Sequence, residues 1–209
     1  MPARPKVLDH AKMSLYAYEN QTINGAIPGC RFVRAFGHND GNTNGFFAKQ
    51  YNGFVNGRTA SVFAIRGTDE IRDAVVSDVQ IAIGVNPEQF EISLGFFDEF
   101  ASNISNIGST YLTGHSLGGG LASMLSAYHG LPVVTFNAPG VVRSFVSLKT
   151  YGACSGIMRH YPPLQGVCRT SRDLIRGNVN EKQMLNVRAK YDAVSIGTGD
   201  TFGELYTYL

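Results

Sequence analysis

The sequence lacks the features that mark several large classes of protein. No apolar run approaches the roughly 20 residues that a membrane-spanning helix needs. The formal net charge is only +2, so charge gives no argument for a nucleic-acid partner. The basic segment Met1–Lys6 is not followed by an apolar stretch, so we expect no cleavable signal peptide. A soluble protein is expected, and its compartment stays open because export without a signal peptide is an alternative.

Cysteine is also scarce. The three cysteines, Cys30, Cys154 and Cys168, form an odd set whose spacing fits neither a disulfide framework nor a zinc site. A single bridge between Cys154 and Cys168 is one interpretation, and two ordinary buried thiols are the simpler one. The cysteines therefore leave the redox compartment open.

The chain does contain enough apolar sequence for a core. Its 209 residues are 44% hydrophobic, which excludes a disordered chain and favours one domain over residues 1–209. Strand patterns alternate with helix patterns along most of the chain. The predicted strands are 45–51, 59–65, 109–112, 131–136 and 183–189, and the predicted helices are 9–19, 87–104 and 121–128. Residues 20–44 have no sustained period and are predicted to be irregular. The alternation predicts an α/β fold with a mostly parallel central sheet and helices on both faces.

The most informative stretch is Gly114-His115-Ser116-Leu117-Gly118, which has the pattern G-x-S-x-G. A strand pattern precedes it and a helix pattern follows it, as the motif requires. In such a tight turn the serine backbone is strained, and glycine two residues away on either side avoids a steric clash. The serine then lies at a helix N-terminus, where free N–H groups favour negative charge. We interpret Ser116 as a nucleophile for acyl transfer, against the alternative of a glycine-rich turn with an unreactive serine.

These residues also predict an oxyanion hole. In this kind of turn one donor is the backbone N–H after the nucleophile, which is that of Leu117. The second donor comes from a loop after an earlier strand, and Arg66-Gly67-Thr68 follows the predicted strand 59–65.

Several ordered segments resemble the class 3 lipases, a branch of the α/β-hydrolases that includes the fungal triacylglycerol lipases. Phe63–Thr68 is similar to their strand ending in F-R-G-[ST], the serine turn matches their elbow, and Asp192-Ala193-Val194 is similar to their D-x-V. The resemblance implies an α/β-hydrolase-like fold and an ester hydrolase that needs no metal or cofactor. It also implies Thr68 as an oxyanion donor and Asp192 as the triad carboxylate. The alternatives are an ordinary turn residue at 68 and a solvated carboxylate at 192.

The sequence departs from this family at the general base. The family places its catalytic histidine after the aspartate, but no histidine follows Asp192, and Thr201 stands at the corresponding position. His160 is the candidate replacement, with a surface or packing role as its alternative. His115, inside the elbow, is expected to pack away from the nucleophile.

Two classes of function follow from these residues. The first is a hydrolase of lipid-like or short acyl esters, a lipase, esterase or phospholipase that makes transient contact with a lipid interface. The second is a lipase-fold protein that has lost turnover and binds lipid or a protein partner. The elbow favours the enzyme, and the missing histidine favours the binder, unless a continuation past Leu209 supplies that residue. The apolar segment 71–85 is interpreted either as a lid over the site or as a core element.

Overall fold

The computed structural model describes residues 6–19, 27–37, 46–55, 58–67, 87–102, 109–141, 179–191 and 201–208. Within these residues the helices are α1 (Val7–Tyr16), α2 (Pro87–Ser102), α3 (Leu117–His129) and a 3-10 helix (Glu181–Gln183). The strands are β1 (Cys30–Phe36), β2 (Ala48–Val55), β3 (Arg58–Ile65), β4 (Thr110–His115), β5 (Val133–Phe136), β6 (Met184–Ala189) and β7 (Glu204–Tyr208).

The seven strands form one sheet in the same order as in the sequence. The β1–β2 and β2–β3 pairs are antiparallel, whereas every pair from β3 to β7 is parallel. Strands β3 to β7 therefore all finish on one side, which we call the carboxyl end of the sheet. Ligands of open parallel sheets bind outside this end, so it is where a functional site is expected.

Helices cover both faces of the sheet. On one face α2 and α3 bury Phe97 and Leu125 against Phe63 of β3. On the other face α1 buries Met13 against Val62. Successive residues of a strand point to opposite faces of the sheet. Since helices cover both faces, β3 needs apolar residues on both sides, and its sequence supplies them. The expected α/β-hydrolase-like fold, with a mostly parallel sheet between helices, is confirmed.

Strand β1 contradicts the prediction that residues 20–44 are irregular. It pairs with β2 at the edge of the sheet, and its burial alternates between half-buried and exposed. Arg34 occupies a half-buried position, where its guanidinium lies 4.4 Å from the Phe36 ring centre and 3.2 Å from a Glu99 carboxylate oxygen. Val33 is exposed instead. Because polar and apolar residues do not follow the burial alternation, the sequence of this strand hides its period.

The other predicted strands and helices that fall within the described residues are observed, with shifted ends. The two largest shifts are at the end of β2, which continues to Val55 through part of the predicted turn, and at the start of α3, which begins at Leu117 rather than at residue 121. Segment 71–85, Cys154 and Cys168 lie outside the described residues. No helix in the described ranges is long and apolar enough to cross a bilayer.

Candidate active site

Ser116 lies at the carboxyl end of the sheet, between β4 and α3. Its backbone angles are φ 54° and ψ −130°, a combination that residues with a side chain rarely adopt. The Ser116 N–H donates to the Phe136 carbonyl at 3.0 Å, and the Ser116 carbonyl accepts from the Gly120 N–H at 3.1 Å. The neighbouring strand β5 and the first turn of α3 therefore hold the strained residue from both sides.

The glycines of the elbow are required by close backbone packing. A Cβ atom at Gly114 would lie 2.5 Å from the carbonyl carbon of Gly118. A Cβ atom at Gly118 would overlap the Ile65 carbonyl oxygen and lie 2.8 Å from the Gly67 nitrogen. These neighbours are backbone atoms, so no side-chain rotation would relieve the overlap. The first turn of α3 thus packs directly on the ends of β3 and β4.

The Ser116 side chain is buried, with 5% of its surface exposed, and its Oγ has no hydrogen-bond partner among the described residues. Buried hydroxyl groups are nearly always hydrogen-bonded, so an unpartnered one calls for an explanation such as a catalytic role or a missing partner. Thr68, Asp192 and His160, the residues predicted to complete the site, all lie outside the described residues.

The N-terminus of α3 supplies hydrogen-bond donors next to Ser116. Leu117 is the first residue of this helix, so its N–H has no acceptor within the helix. The helix dipole adds partial positive charge at the same place. A negative charge that develops beside Ser116 would therefore be stabilised, as the sequence predicts for an oxyanion.

None of the histidines in the described residues serves Ser116 as a base. The His115 Nδ1 atom lies 3.2 Å from the Tyr18 hydroxyl, and the Ser116 Oγ has no hydrogen bond to the His115 ring. His10 of α1 packs beside Tyr111, with ring centres 6.0 Å apart. His129, at the far end of α3, packs on Phe97 at 4.5 Å.

The assignment of Thr201 to the position of the family histidine is wrong. Strand β7 runs parallel to β6, with Glu204 opposite Leu185 and Tyr208 opposite Ala189. Thr201 precedes Glu204, the first residue of β7, and so enters that strand at its amino end. A residue that acts on Ser116 belongs at the carboxyl ends of the strands. The letters of the segment resemble the family stretch, but the direction of β7 separates Thr201 from that role.

Asn137 joins β5 to β6 at the carboxyl end of the sheet. It has a positive φ of 47°, its N–H donates to the Val187 carbonyl at 2.8 Å, and its Oδ1 accepts from the Ala189 N–H at 2.9 Å. This contact fixes the end of β6, two residues before Tyr191. Asp192, the predicted triad carboxylate, is the next residue in the sequence.

Tyr18 reaches the elbow from the α1 face, and the sequence analysis missed it. Its hydroxyl accepts a hydrogen bond from the Gly67 N–H at 3.1 Å and contacts His115. No motif contains this tyrosine. Its side chain is brought to the site only because α1 packs across β3, β4 and β5.

Comparisons with known proteins agree with this picture at the level of the family. Residues 34–159 match the model of a family described as phospholipase-like, the Tle-like phospholipase domain. A protein named "Putative lipase ATG15" from Eremothecium gossypii is 62% identical over 32 residues, which are 15% of this chain and 6% of that protein. The protein of the same name from Lodderomyces elongisporus is 37% identical over 70 residues, or 34% of this chain and 12% of that protein. The matches thus span only a small part of the length of these relatives.

Solved structures resemble the chain only weakly. The capsule O-acetyltransferase of Neisseria meningitidis serogroup A has a TM-score of 0.37 and 13% identity, covering 94% of this chain and 90% of that one. Acetyl xylan esterase 1 from Thermoanaerobacterium has a TM-score of 0.34 and 10% identity, covering 100% and 89%.

The family match covers more than half of the sequence and includes β2 to β5, α2, α3 and the elbow. It confirms the expected lipase-like family, whereas the narrower class 3 branch stays a prediction. The chain belongs to the family of Tle-like phospholipase domains.

Proposed function

We propose that this chain hydrolyses carboxylic esters of lipids through an acyl-enzyme on Ser116. The observation that carries the proposal is the Ser116 hydroxyl, buried and without a described partner, on a strained turn at a helix N-terminus. Strain and an unpaired hydroxyl cost stability, so their coincidence at one residue favours a functional explanation. Membership of a phospholipase-like family supports a phospholipid or related acyl lipid as the substrate class.

In the proposed reaction the Ser116 Oγ attacks the ester carbonyl carbon while its proton passes to a general base. The carbonyl oxygen becomes an oxyanion beside the Leu117 N–H, with Thr68 as the second donor. The tetrahedral intermediate then expels the alcohol, which takes the proton from the base. Water, deprotonated by the same base, attacks the acyl carbon to form a second tetrahedral intermediate. Its collapse breaks the bond to Ser116 Oγ, which takes the proton back from the base, and releases the acid.

We assign the general base to His160 and the carboxylate that orients it to Asp192. A serine hydroxyl needs an acceptor within hydrogen-bond reach, and a carboxylate fixes the tautomer of the histidine and stabilises its charged form. The end of β6, from which the chain reaches Asp192, is fixed to β5 through Asn137.

A fluorophosphonate probe tests the nucleophile directly. We expect one label per wild-type chain, and we expect Ser116→Ala to abolish it, because the probe reacts only with an activated serine. Ser123→Ala is a matched control, since Ser123 is also buried on α3 and should leave labelling unchanged. Mass spectrometry of the labelled protein is the measurement. Labelling that survives Ser116→Ala would overturn the assignment.

The alternative function is a lipase-fold protein without turnover that binds lipid or a protein partner. It is favoured by one observation, that none of the described histidines forms a hydrogen bond with the Ser116 hydroxyl. Without a base, a triad serine retains only the residual activity that binding and the oxyanion hole provide. A wild-type chain that binds phospholipid vesicles but neither takes the probe nor hydrolyses an activated ester would favour this alternative.

A further inference from the structure

We infer that Tyr18 is a positioning residue for the oxyanion hole, an inference that rests on the proposed function. Its hydroxyl lies between the ends of β3 and β4, the two strands that the proposed oxyanion donors follow in the sequence. It accepts from the Gly67 N–H at 3.1 Å, and it lies 3.2 Å from His115 Nδ1 and 3.3 Å from the His115 carbonyl oxygen. Gly67 follows β3, and His115 ends β4 directly before Ser116. The hydroxyl therefore connects both strand ends, whichever His115 atom takes its proton.

The atoms at these strand ends are closely packed around Gly67. A Cβ atom at Gly67 would overlap the Tyr18 hydroxyl and lie 3.0 Å from the His115 carbonyl oxygen. It would also lie 3.5 Å from the nitrogen of Gly118, in the first turn of α3. The Tyr18 hydroxyl, Gly67 and the elbow thus pack against one another. A shift of the hydroxyl would move Gly67 relative to the Leu117 N–H, which is the first proposed donor.

Tyr18 is itself held in place from two directions. The Ser14 hydroxyl of α1 bonds to the Thr113 hydroxyl of β4 at 2.9 Å, which fixes the helix to the strand of the elbow. The buried ammonium group of Lys49, on β2, donates to the carbonyl oxygens of Tyr16 and Glu19, on either side of Tyr18. Burial lowers the pKa of Lys49, and the two carbonyl contacts replace part of its lost hydration.

This arrangement implies an effect on turnover rather than on substrate binding. Donors of an oxyanion hole act on charge that develops in the transition state, so their placement governs kcat more than KM. Removal of a donor typically lowers kcat by about 10²–10³. A donor that is only displaced, and not removed, should lower kcat by a smaller factor. We expect a loss of about 10-fold in kcat when the Tyr18 hydroxyl is removed.

The test compares Tyr18→Phe with Tyr16→Phe on a soluble activated ester. Both substitutions remove one hydroxyl from a half-buried tyrosine at the end of α1, and Tyr18→Phe keeps the ring that packs edge-on to His115 at 6.0 Å. We expect Tyr18→Phe to lower kcat with KM near the wild-type value, and Tyr16→Phe to match wild type. Circular dichroism establishes that each variant is folded at the assay temperature.

A double-mutant cycle with Thr68→Ala separates positioning from general damage. If Tyr18 acts through the second donor, Tyr18→Phe should cost little more once Thr68 is alanine, whereas independent effects would multiply. Wild-type kcat in Tyr18→Phe, a change confined to KM, or fully multiplicative losses would each overturn the positioning role alone. A wild-type chain with no Ser116-dependent turnover would overturn the proposed function and the positioning role together.

Discussion

Two buried polar atoms without a hydrogen-bond partner among the described residues lie at opposite ends of the same sheet. The Ser116 Oγ is at the carboxyl end, and the His10 Nδ1 is at the amino end, in a residue that is 1% exposed. Both belong to residue types that enzymes use as nucleophiles or bases. Their backbone conformations and surroundings differ, and the difference separates the features that favour a functional interpretation of Ser116 from those that do not.

Ser116 combines four features in one place. Its hydroxyl is unpartnered, its backbone is strained, helix donors surround it, and glycines let neighbouring backbone come close. The strain and the unpartnered hydroxyl cost stability, and all four features are those that the proposed nucleophile and its oxyanion would require.

His10 has only the first of these features. It lies inside α1, packs beside Tyr111, and lines a cavity of about 160 Å³ with Lys182, Glu204 and several apolar residues. Burial lowers its pKa to about 4, so the ring is neutral near neutral pH. An unpartnered buried atom is therefore present at both ends of the sheet, but of these two residues only Ser116 combines it with backbone strain and helix N–H donors.

The substitution with the largest expected effect breaks the packing at the serine end. In Gly118→Ala the new Cβ would overlap backbone atoms of β3, so we expect a loss of about 4 kcal/mol or more in the free energy of unfolding. Gly95→Ala is the matched control, because a Cβ there meets nothing within 4 Å on an exposed part of α2. That control should gain up to about 1 kcal/mol from helix propensity. Urea unfolding of both variants measures the contrast, and equal stabilities would show that the elbow is less tightly packed than described.

The second-largest expected effect comes from loss of a proposed oxyanion donor. Thr68→Ala should lower kcat by about 10²–10³, or about 2.7–4 kcal/mol in the activation free energy, with little change in KM. The reason is that the proposed hydrogen bond strengthens as charge develops on the substrate oxygen. Steady-state kinetics on a soluble ester measure this. A change confined to KM would mean that Thr68 helps only to bind substrate.

The elbow could be predicted from sequence because its letters determine its own geometry. Gly114 and Gly118 stand where no Cβ fits, and a strand and a helix flank the turn. The parallel sheet followed from the same local patterns. The elbow needed only its own segment, and the sheet needed only the order of strand and helix patterns along the chain.

The features that were missed depend on residues far apart in the sequence. Arg34 occupies a half-buried position in β1 because its guanidinium contacts Glu99 of α2 and the Phe36 ring. The pattern of residues 20–44 does not reveal this pairing with α2. Tyr18 meets Gly67 and His115 only after α1 has packed on the sheet. Thr201 was misassigned because the pairing of β6 with β7, which sets the strand direction, is a tertiary contact.

The smallest of the three effects comes from His10, at the amino end of the sheet, and is a loss of folding stability at acidic pH. The pKa of His10 is about 4 in the folded chain and near 6.5 when unfolded, so the unfolded state binds more protons between these values. The contribution of neutral His10 is therefore fully present above about pH 6.5 and falls as the pH drops toward 4. From this shift we expect a loss of about 2–3 kcal/mol by pH 4.

The measurement is urea unfolding at pH 7 and pH 4 for wild type and His10→Leu. The two chains carry the same carboxylates, so the contribution of these groups cancels in the comparison. Removal of the imidazole should reduce the stability lost on acidification by about 2–3 kcal/mol, because leucine binds no proton in either state. Labelling of Ser116 at pH 7 should be unchanged, since His10 lies at the other end of the sheet. An equal loss of stability in both chains would mean that His10 ionises freely in the folded protein. A loss of Ser116 labelling would mean that the two ends are coupled, and the contrast between a reactive end and a purely structural end would then be wrong.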